Sequence, residues 1–250
     1  MPDFSLISNR GALGKILRLP LRAVPKAARM PILQGPLRGK RWIAGSCSHG
    51  CWLGTYEFGK QQAFAAVIRQ GDVVYDLGAN VGWYTLMGSV LGASRVYSFE
   101  PVPANLSFLR EHLALNGIEN CTVYPAAVGR YSGTAHFAIG QTSTDGHLAG
   151  QTGPHDLAVR LVSLDELIAS DALLPPDVIK CDIEGGEFDA LLGARKTLEK
   201  FSPTIFVATH STILHKMCSE FLQDLRYETA PIEGSPFEDE LIARRVPQRA

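Results

Sequence analysis

The sequence predicts an α/β fold in which a doubly wound, mostly parallel sheet carries helices on both faces. Three observations carry that expectation. Apolar runs of five to eight residues alternate with helical patterns along the chain, as repeated βα units require. A glycine-bearing turn, DLGANVG at 76–82, joins one such run to a helix. A carboxylate, Glu100, ends the next run 24 residues after Asp76, at the crevice where open α/β sheets bind nucleotide-like ligands.

The run GDVVYDL (71–77) is expected as a buried strand, with a helix over 81–91 after it. RVYSFE (95–100) is the second strand. The next helix is expected over 103–116. Pro103 suits a first-turn position, Leu106, Leu109, Leu113 and Leu115 supply an apolar face, and Asn116-Gly117 closes it. CTVYPAAV (121–128) is expected as a third strand, with Gly129 and Gly133 turning into a returning strand. The polar, glycine-rich segment 141–156 reads as a long loop, with His147 and His155 as candidate acceptor contacts. After the strand-like VRLVS, Ser163 and Glu166 have capping-box spacing for a short helix. DVIKCDI (177–183) is the fourth strand, 187–201 a helix, PTIFVAT (203–209) the fifth strand and ILHKMCSEFLQDL a further helix. RYETAPI and ELIARRV close the chain as a strand pair.

The 250 residues fit one large α/β domain, alone or with a small extension, and 46% hydrophobic residues suffice for a full core. A net charge of −1 gives no global signal for nucleic acid. The five cysteines are odd in number and scattered, which points to a reducing, cytoplasmic compartment rather than a disulfide framework. No apolar run is long enough to span a bilayer, and no signal peptide is expected. The first 60 residues carry ten Lys and Arg against Asp3 and Glu57 alone. Pro20, Pro25 and Pro31 interrupt the basic, Leu-rich stretch within them. A solvated or loosely docked leader is expected there, and peripheral contact with an anionic membrane is the alternative.

The turn itself narrows the ligand. A dinucleotide fingerprint needs G-x-G-x-x-G, so that amides at a helix start approach a pyrophosphate. Here Gly78 and Gly82 have G-x-x-x-G spacing, with Asn80 between them. Asp76 ends its strand and is expected to face the crevice. Glu100 is placed to accept hydrogen bonds from vicinal ribose hydroxyls. A nucleoside without phosphates and with a charged amino-acid tail suits this set, and S-adenosylmethionine is such a molecule.

The motifs DLGANVG, FEPVPAN, VSLDELI and DVIKCDIEGGEFDALLGA occur in that order, after YEFGKQQAFAAVIRQ. Over about residues 35–210 the chain resembles FkbM-family methyltransferases. The resemblance implies a Rossmann-like class I methyltransferase fold, with a mostly parallel seven-stranded sheet and an antiparallel terminal strand. With the charge asymmetry, a basic N-terminal extension over residues 1–50 and a methyltransferase domain over 51–250 are expected. The resemblance also implies methyl transfer from S-adenosylmethionine to a small-molecule or glycan acceptor, commonly a hydroxyl. N-methylation and a non-catalytic nucleoside-binding relative are the alternatives.

By position, the resemblance places Asp76, Gly78, Asn80 and Gly82 along the methionine and ribose side of the cofactor. It places Glu100 at the ribose, Pro101, Ala126 and Ala127 near the adenine, and Tyr56 and Glu57 over the amino-acid end. Asp182, Glu184 and Glu187 belong to the element at the end of the fourth strand, at the pocket mouth, where Asp182 is within reach of both cofactor and acceptor. One departure is plain. The family's P-x-x-x-x-E-x-H pattern has Ala208 in place of its Glu here, while His210 is kept.

Methyl transfer from a sulfonium is an in-line substitution, so alignment supplies much of the rate. A hydroxyl acceptor must also lose a proton. Asp182, Glu184 and His210 are the candidate catalytic groups, and histidine is the side chain best poised near neutral pH. Glu187 reads as a first-turn residue that favours its helix dipole. Cys47, His49 and Cys51 lack a second ligand pair at zinc spacing, and no metal ligand is expected. Trp83 reads as packing.

Overall fold

The computed structural model describes residues 21, 23–139, 146–148, 156–235 and 239–246. Most of the basic arm lies outside them, as does His155 in the polar segment; His147 is described by its backbone alone.

The chain begins with a hairpin of β1 (Arg29–Pro31) and β2 (Arg41–Ile43), then α1 (His49–Leu53) and α2 (Phe58–Val67). The wound core follows as β3 (Val73–Leu77), α3 (Trp83–Val90), β4 (Arg95–Phe99), α4 (Pro103–Leu115) and β5 (Cys121–Tyr124). Next come β6 (Ala127–Val128), β7 (Gly133–Ile139), β8 (Gly146–Leu148), β9 (Asp156–Val162) and α5 (Leu164–Ala169). The last third is β10 (Val178–Cys181), α6 (Glu187–Leu192), α7 (Arg195–Phe201), β11 (Thr204–Ala208), α8 (Thr212–Asp224), β12 (Tyr227–Pro231) and β13 (Glu240–Arg245).

Seven strands form the main sheet in the order β12-β13-β11-β10-β3-β4-β5. All neighbours from β11 to β5 are parallel, and β13 runs antiparallel to both β11 and β12. The expected doubly wound sheet is therefore present. Its chain-terminal antiparallel strand is inserted between two strands of the sheet rather than added at the edge. Strand order reverses at β3: β4 and β5 lie on one side, β10 and β11 on the other. That reversal leaves a crevice at the carboxyl ends of the strands.

β3 explains itself from VVYDL. All five residues are buried, as a central strand covered on both faces requires. Val73, Tyr75 and Leu77 pack with Leu164, Leu191, Leu198 and Phe221 from α5 to α8. Val74 points the other way, against Phe64 of α2 and Leu86 and Met87 of α3. The period of two thus divides one strand between two cores.

Several expectations are corrected. The run 121–128 is two strands: Pro125 has no amide to continue a ladder, and β6 leaves for a second sheet, β6-β9-β7-β8. Part of the polar segment is strand β8, paired with β7. Ser163 makes no capping bond; its hydroxyl donates instead to the Gly193 carbonyl at 2.9 Å. The single helix over 187–201 breaks at Gly193, where a Cβ would lie 2.1 Å from the Gly129 carbonyl oxygen. Asp165 then accepts from the Lys196 and Thr197 amides and starts α7. Finally, residues 29–50 share a core with the sheet, because Ile32, Leu37 and Trp42 are buried beside Trp83 and Leu86.

Candidate active site

A cavity of about 550 Å³ opens at the crevice. The turns after β3, β4, β10 and β11 line it, together with Tyr56 and Glu57 ahead of α2. Its volume falls within the range of small-molecule sites.

The turn after β3 is shaped by close approach. Gly78 has φ +75°, and a Cβ there would lie 1.9 Å from the Asp182 carbonyl oxygen. Only glycine satisfies both constraints. Asn80 is also left-handed, with φ 50°, a conformation that Asn tolerates better than most residues. Its amide donates to Glu100 Oε2 at 2.8 Å. The Val102 amide at 2.8 Å and Asn105 Nδ2 at 3.3 Å donate to Oε1. Burial pushes the Glu100 carboxyl up, and these donors oppose the shift. Three of about four acceptor positions are filled, so Oε2 keeps one.

Asp76 does not reach the cavity wall, contrary to the expectation from sequence. It is fully buried, accepts from the Thr85 hydroxyl at 2.6 Å and sits 3.3 Å from Lys180 Nζ. Gly82 is off the wall as well and caps α3 with φ 95°. Tyr56, Glu57, Gly78, Asn80, Glu100, Pro101, Ala126, Ala127, Asp182, Glu184 and His210 all line the cavity. Trp83 packs edge-on against Trp42 and Tyr56, as expected, but it also lines the cavity.

Two buried lysines organise the acidic side. Lys60 Nζ lies 2.9 Å from Asp182 Oδ2, 2.9 Å from Glu240 Oε1 and 3.5 Å from Glu57 Oε2. Burial disfavours its charge, but Asp182, Glu57 and Glu240 outweigh burial and hold the ammonium well above the ordinary lysine value. Lys180 donates to the Gly78 carbonyl at 2.8 Å and pins the glycine turn to Asp76. Tyr84 stands between the two cations, with its ring 5.5 Å from Lys60 Nζ and 5.6 Å from Lys180 Nζ, and donates its hydroxyl to Glu57. The Ser235 hydroxyl donates to Glu240 Oε2.

At the mouth, His210 Nε2 lies 3.5 Å from Asp182 Oδ1 and 3.2 Å from Glu184 Oε2. Its Nδ1 lies 2.8 Å from Glu187 Oε1. Glu187 is fully buried and also accepts from the Ile183 and Gly185 amides. It is thus the anchor of His210 rather than a surface helix-dipole residue. The bond to Glu187, with Asp182 and Glu184 nearby, raises the His210 pKa to about 9 against burial. A histidine protonated at neutral pH has no lone pair for an acceptor proton, which does not fit the base role expected of it. Burial opposes ionisation of Asp182, yet Lys60, Lys180 and His210 hold its carboxyl far below the ordinary range.

Sequence reasoning missed Lys60, Lys180, Tyr84, Asn105 and Glu240. Lys180 left a signal, a lone charge inside an apolar strand. Glu240 left none, because its place depends on β13 lying in register with β11, Glu240 opposite Ala208. The edge beside Ala208 is therefore more acidic than the sequence implied, since Asp239 and Glu240 also line the wall.

The residues present fit a nucleoside cofactor. Oδ1 of Asn80 and Oδ1 of Asn105 are buried without a hydrogen-bond partner, and both residues line the cavity beside Glu100. Sheet order, the inserted antiparallel strand and a cavity at the switch point define the class as a Rossmann-like methyltransferase. Within it, the chain belongs to the FkbM methyltransferase family: the model of the methyltransferase FkbM domain matches residues 76–229, more than half of the chain. It is a methyltransferase, and its cofactor is S-adenosylmethionine.

The chain is similar to the hexuronic acid methyltransferase AglP of Haloferax volcanii, 27% identical over 180 residues, 71% of this chain and 72% of that protein. A 73-residue stretch is 33% identical to a ribosomal protein L11 methyltransferase of Caldanaerobacter subterraneus, covering 28% of this chain and 24% of that one. Among solved structures, a methyltransferase FkbM from Methylobacillus flagellatus superimposes with TM-score 0.50 at 20% identity, over 76% of this chain and 51% of that one. The chain thus spans about half the length of that structure. A ribosomal protein L11 methylase from Lactobacillus delbrueckii gives TM-score 0.50 at 14% identity, over 77% and 80% of the two chains. At such identities these structures speak to the fold alone.

Proposed function

We propose that the chain methylates a hydroxyl of a sugar, glycan or related natural product. The observation that carries this reading is the placement of Asp182, Glu184 and His210 on the same cavity as Glu100. A nucleoside seat and an acid–base cluster then share one space. Similarity to a hexuronic acid methyltransferase supports a sugar as the acceptor.

In this reading Glu100 accepts the ribose hydroxyls, while Pro101, Val102, Ala126 and Ala127 flank the adenine. Tyr56, Glu57, Gly78 and Asn80 surround the amino-acid end. S-adenosylmethionine supplies a methyl group on a sulfonium, whose sulfur keeps the bonding pair as the acceptor oxygen gains the methyl. The wall's carboxylates favour that positive charge. Asp182 is fixed by Lys60 and His210, so its main part is to orient the acceptor hydroxyl. Glu184, with its side chain 46% exposed, is open to the acceptor and takes the hydroxyl proton.

A second reading, N-methylation of an amine, is favoured by the acidity of the same wall. The test is incubation with cofactor and a panel of neutral sugars, hexuronates and amino sugars, followed by mass spectrometry of the products. A methyl ether on a sugar is expected. A methyl found on nitrogen alone would replace the first reading by the second. Tight cofactor binding without turnover on any acceptor would favour a non-catalytic relative, to which Ala208 already draws attention.

A further inference from the structure

We propose that Asp182, Glu184 and His210 form a binding site for one divalent cation at the mouth of the cavity, and that this ion holds the acceptor oxygens. The role at the acceptor rests on the reading above; the ion site itself does not.

The donor atoms converge. His210 Nε2 is 3.5 Å from Asp182 Oδ1 and 3.2 Å from Glu184 Oε2, and the three donors all lie within 4.8 Å of one another. Adjacent ligands in an octahedral site with bonds of about 2.1 Å stand about 3 Å apart, so the two histidine pairs are nearly at ligand spacing and the carboxylate of the exposed Glu184 side chain must draw in to complete the set. Among the described residues this is the single cluster of three such side chains with donors close enough to share an ion.

The surroundings point the same way. A metal-bound histidine characteristically gives its other ring nitrogen to a carboxylate, which fixes the ring and strengthens the ligand. Here Nδ1 meets Glu187 at 2.8 Å, and the amides of Ile183 and Gly185 hold that carboxylate in place. Nε2 is thereby aimed at the two remaining carboxylates, and an ion bound there displaces the proton that this nitrogen carries in the metal-free protein. Oε2 of Glu187 is buried without a hydrogen-bond partner, so the carboxylate behind the ring is only partly satisfied by the protein. Asp182 gives Oδ2 to Lys60 and keeps Oδ1 for the cluster.

The site is also open. Three protein ligands leave coordination positions for substrate oxygens, as catalytic metal sites do. The side chains of Glu184 and His210 are 46% and 31% exposed, and both line the cavity. Two carboxylates and one imidazole suit a first-row divalent ion such as Mn²⁺ or Fe²⁺ better than Mg²⁺, which prefers oxygen donors alone. A hydroxyl bound to such an ion is more acidic, and two neighbouring sugar oxygens could chelate it.

The experiment uses the full chain, freed of metal with a chelator and titrated with Mn²⁺ under electron paramagnetic resonance, without cofactor or acceptor. One ion per chain is expected, with nitrogen hyperfine coupling from the imidazole. Glu184→Gln and His210→Gln should each weaken it by about tenfold or more, and His210→Gln should abolish the nitrogen coupling. Circular dichroism establishes that the variants stay folded, and Asp182→Asn gives a third reading if either does not. Non-saturable binding, or saturable binding indifferent to these substitutions, would overturn the site. If Mn²⁺ binds but no sugar is methylated, the ion site stands and the acceptor reading falls. If a sugar is methylated at the same rate with chelator present, the ion's role at the acceptor falls and the acceptor reading stands.

Discussion

Glu187 Oε1 lies 2.8 Å from Nδ1 of His210, across the turn that follows β10. The contact links the first residue of α6 to the segment after β11, so two adjacent strand ends are joined by one partly buried hydrogen bond. It sets both the direction and the charge of the imidazole. In metal-free protein, Glu187→Gln should bring the His210 pKa down from about 9 toward the ordinary histidine value of about 6.5. The raised value means that His210 stabilises the fold fully below pH 6.5 and loses that contribution as pH rises through about 9. Titration of the ring by NMR in both proteins checks this. An unchanged His210 pKa in the variant would show that Asp182 and Glu184 set the charge instead.

Cofactor binding should depend on Glu100. It is 4% exposed and tied to two backbone amides and Asn105, so its place is fixed before any ligand arrives. Glu100→Ala should weaken S-adenosylmethionine and its demethylated product by about 1.5–3 kcal/mol, the range for hydrogen bonds to a charged group. Calorimetry on both ligands measures it. NADH binding more tightly than S-adenosylmethionine would contradict the nucleoside reading of the turn.

Catalysis should separate from binding at Asp182. Asp182→Asn should lower the methyl-transfer rate by about 10²–10⁴, the usual cost of one acid–base or orienting group, with cofactor affinity kept within about tenfold. The variant also removes a charge from Lys60, which retains Glu240 at 2.9 Å and Glu57 at 3.5 Å, so the fold should persist. A rate equal to wild type would take Asp182 out of the mechanism and favour an acceptor that needs no carboxylate.

Much of this arrangement could be read from the sequence, and the parts that could not share a physical cause. β3, β4 and α4 follow from local signals: continuous apolar runs and a proline at a helix start. Glu100 follows from its distance to the glycine turn. Pro125 was a local signal too, and it outweighed the apolar character of 121–128. The lysine bridges were not legible in the same way. Lys60 meets Asp182 and Glu240 across 122 and 180 residues, and the position of Glu240 depends on how β13 enters the sheet. Glu187 misled for a related reason, because a glutamate at a helix start is common on surfaces. Only the return of the chain after β11 brings His210 over it.

His112 makes the last prediction, because it ties the N-terminal hairpin to the cofactor turn. Its Nδ1 donates to the Val81 carbonyl at 2.7 Å, and its Nε2 accepts the Ile43 amide at 3.1 Å. Trp42 stacks on its ring at 3.7 Å. Both nitrogens are used by the neutral form, and protonating Nε2 would set two donors against each other. Burial accordingly pushes the pKa down to about 4, against the Val81 bond and Glu111. The folded value lies below the unfolded one of about 6.5, so the contribution is fully present above pH 6.5 and is lost as pH falls through about 4. The slope per proton is at most about 1.4 kcal/mol per pH unit. Glu100, whose carboxyl burial pushes up, titrates with the opposite sign. The informative quantity is therefore the difference between wild type and His112→Gln. Denaturant unfolding between pH 7 and 4.5 should show a steeper loss in wild type. Hydrogen exchange at the Ile43 amide should accelerate in wild type before exchange at β3 does. Cofactor affinity should decline over the same range, because Val81 lies on the turn that lines the cavity. Equal pH slopes in the two proteins would mean that His112 packs without holding a proton-sensitive joint.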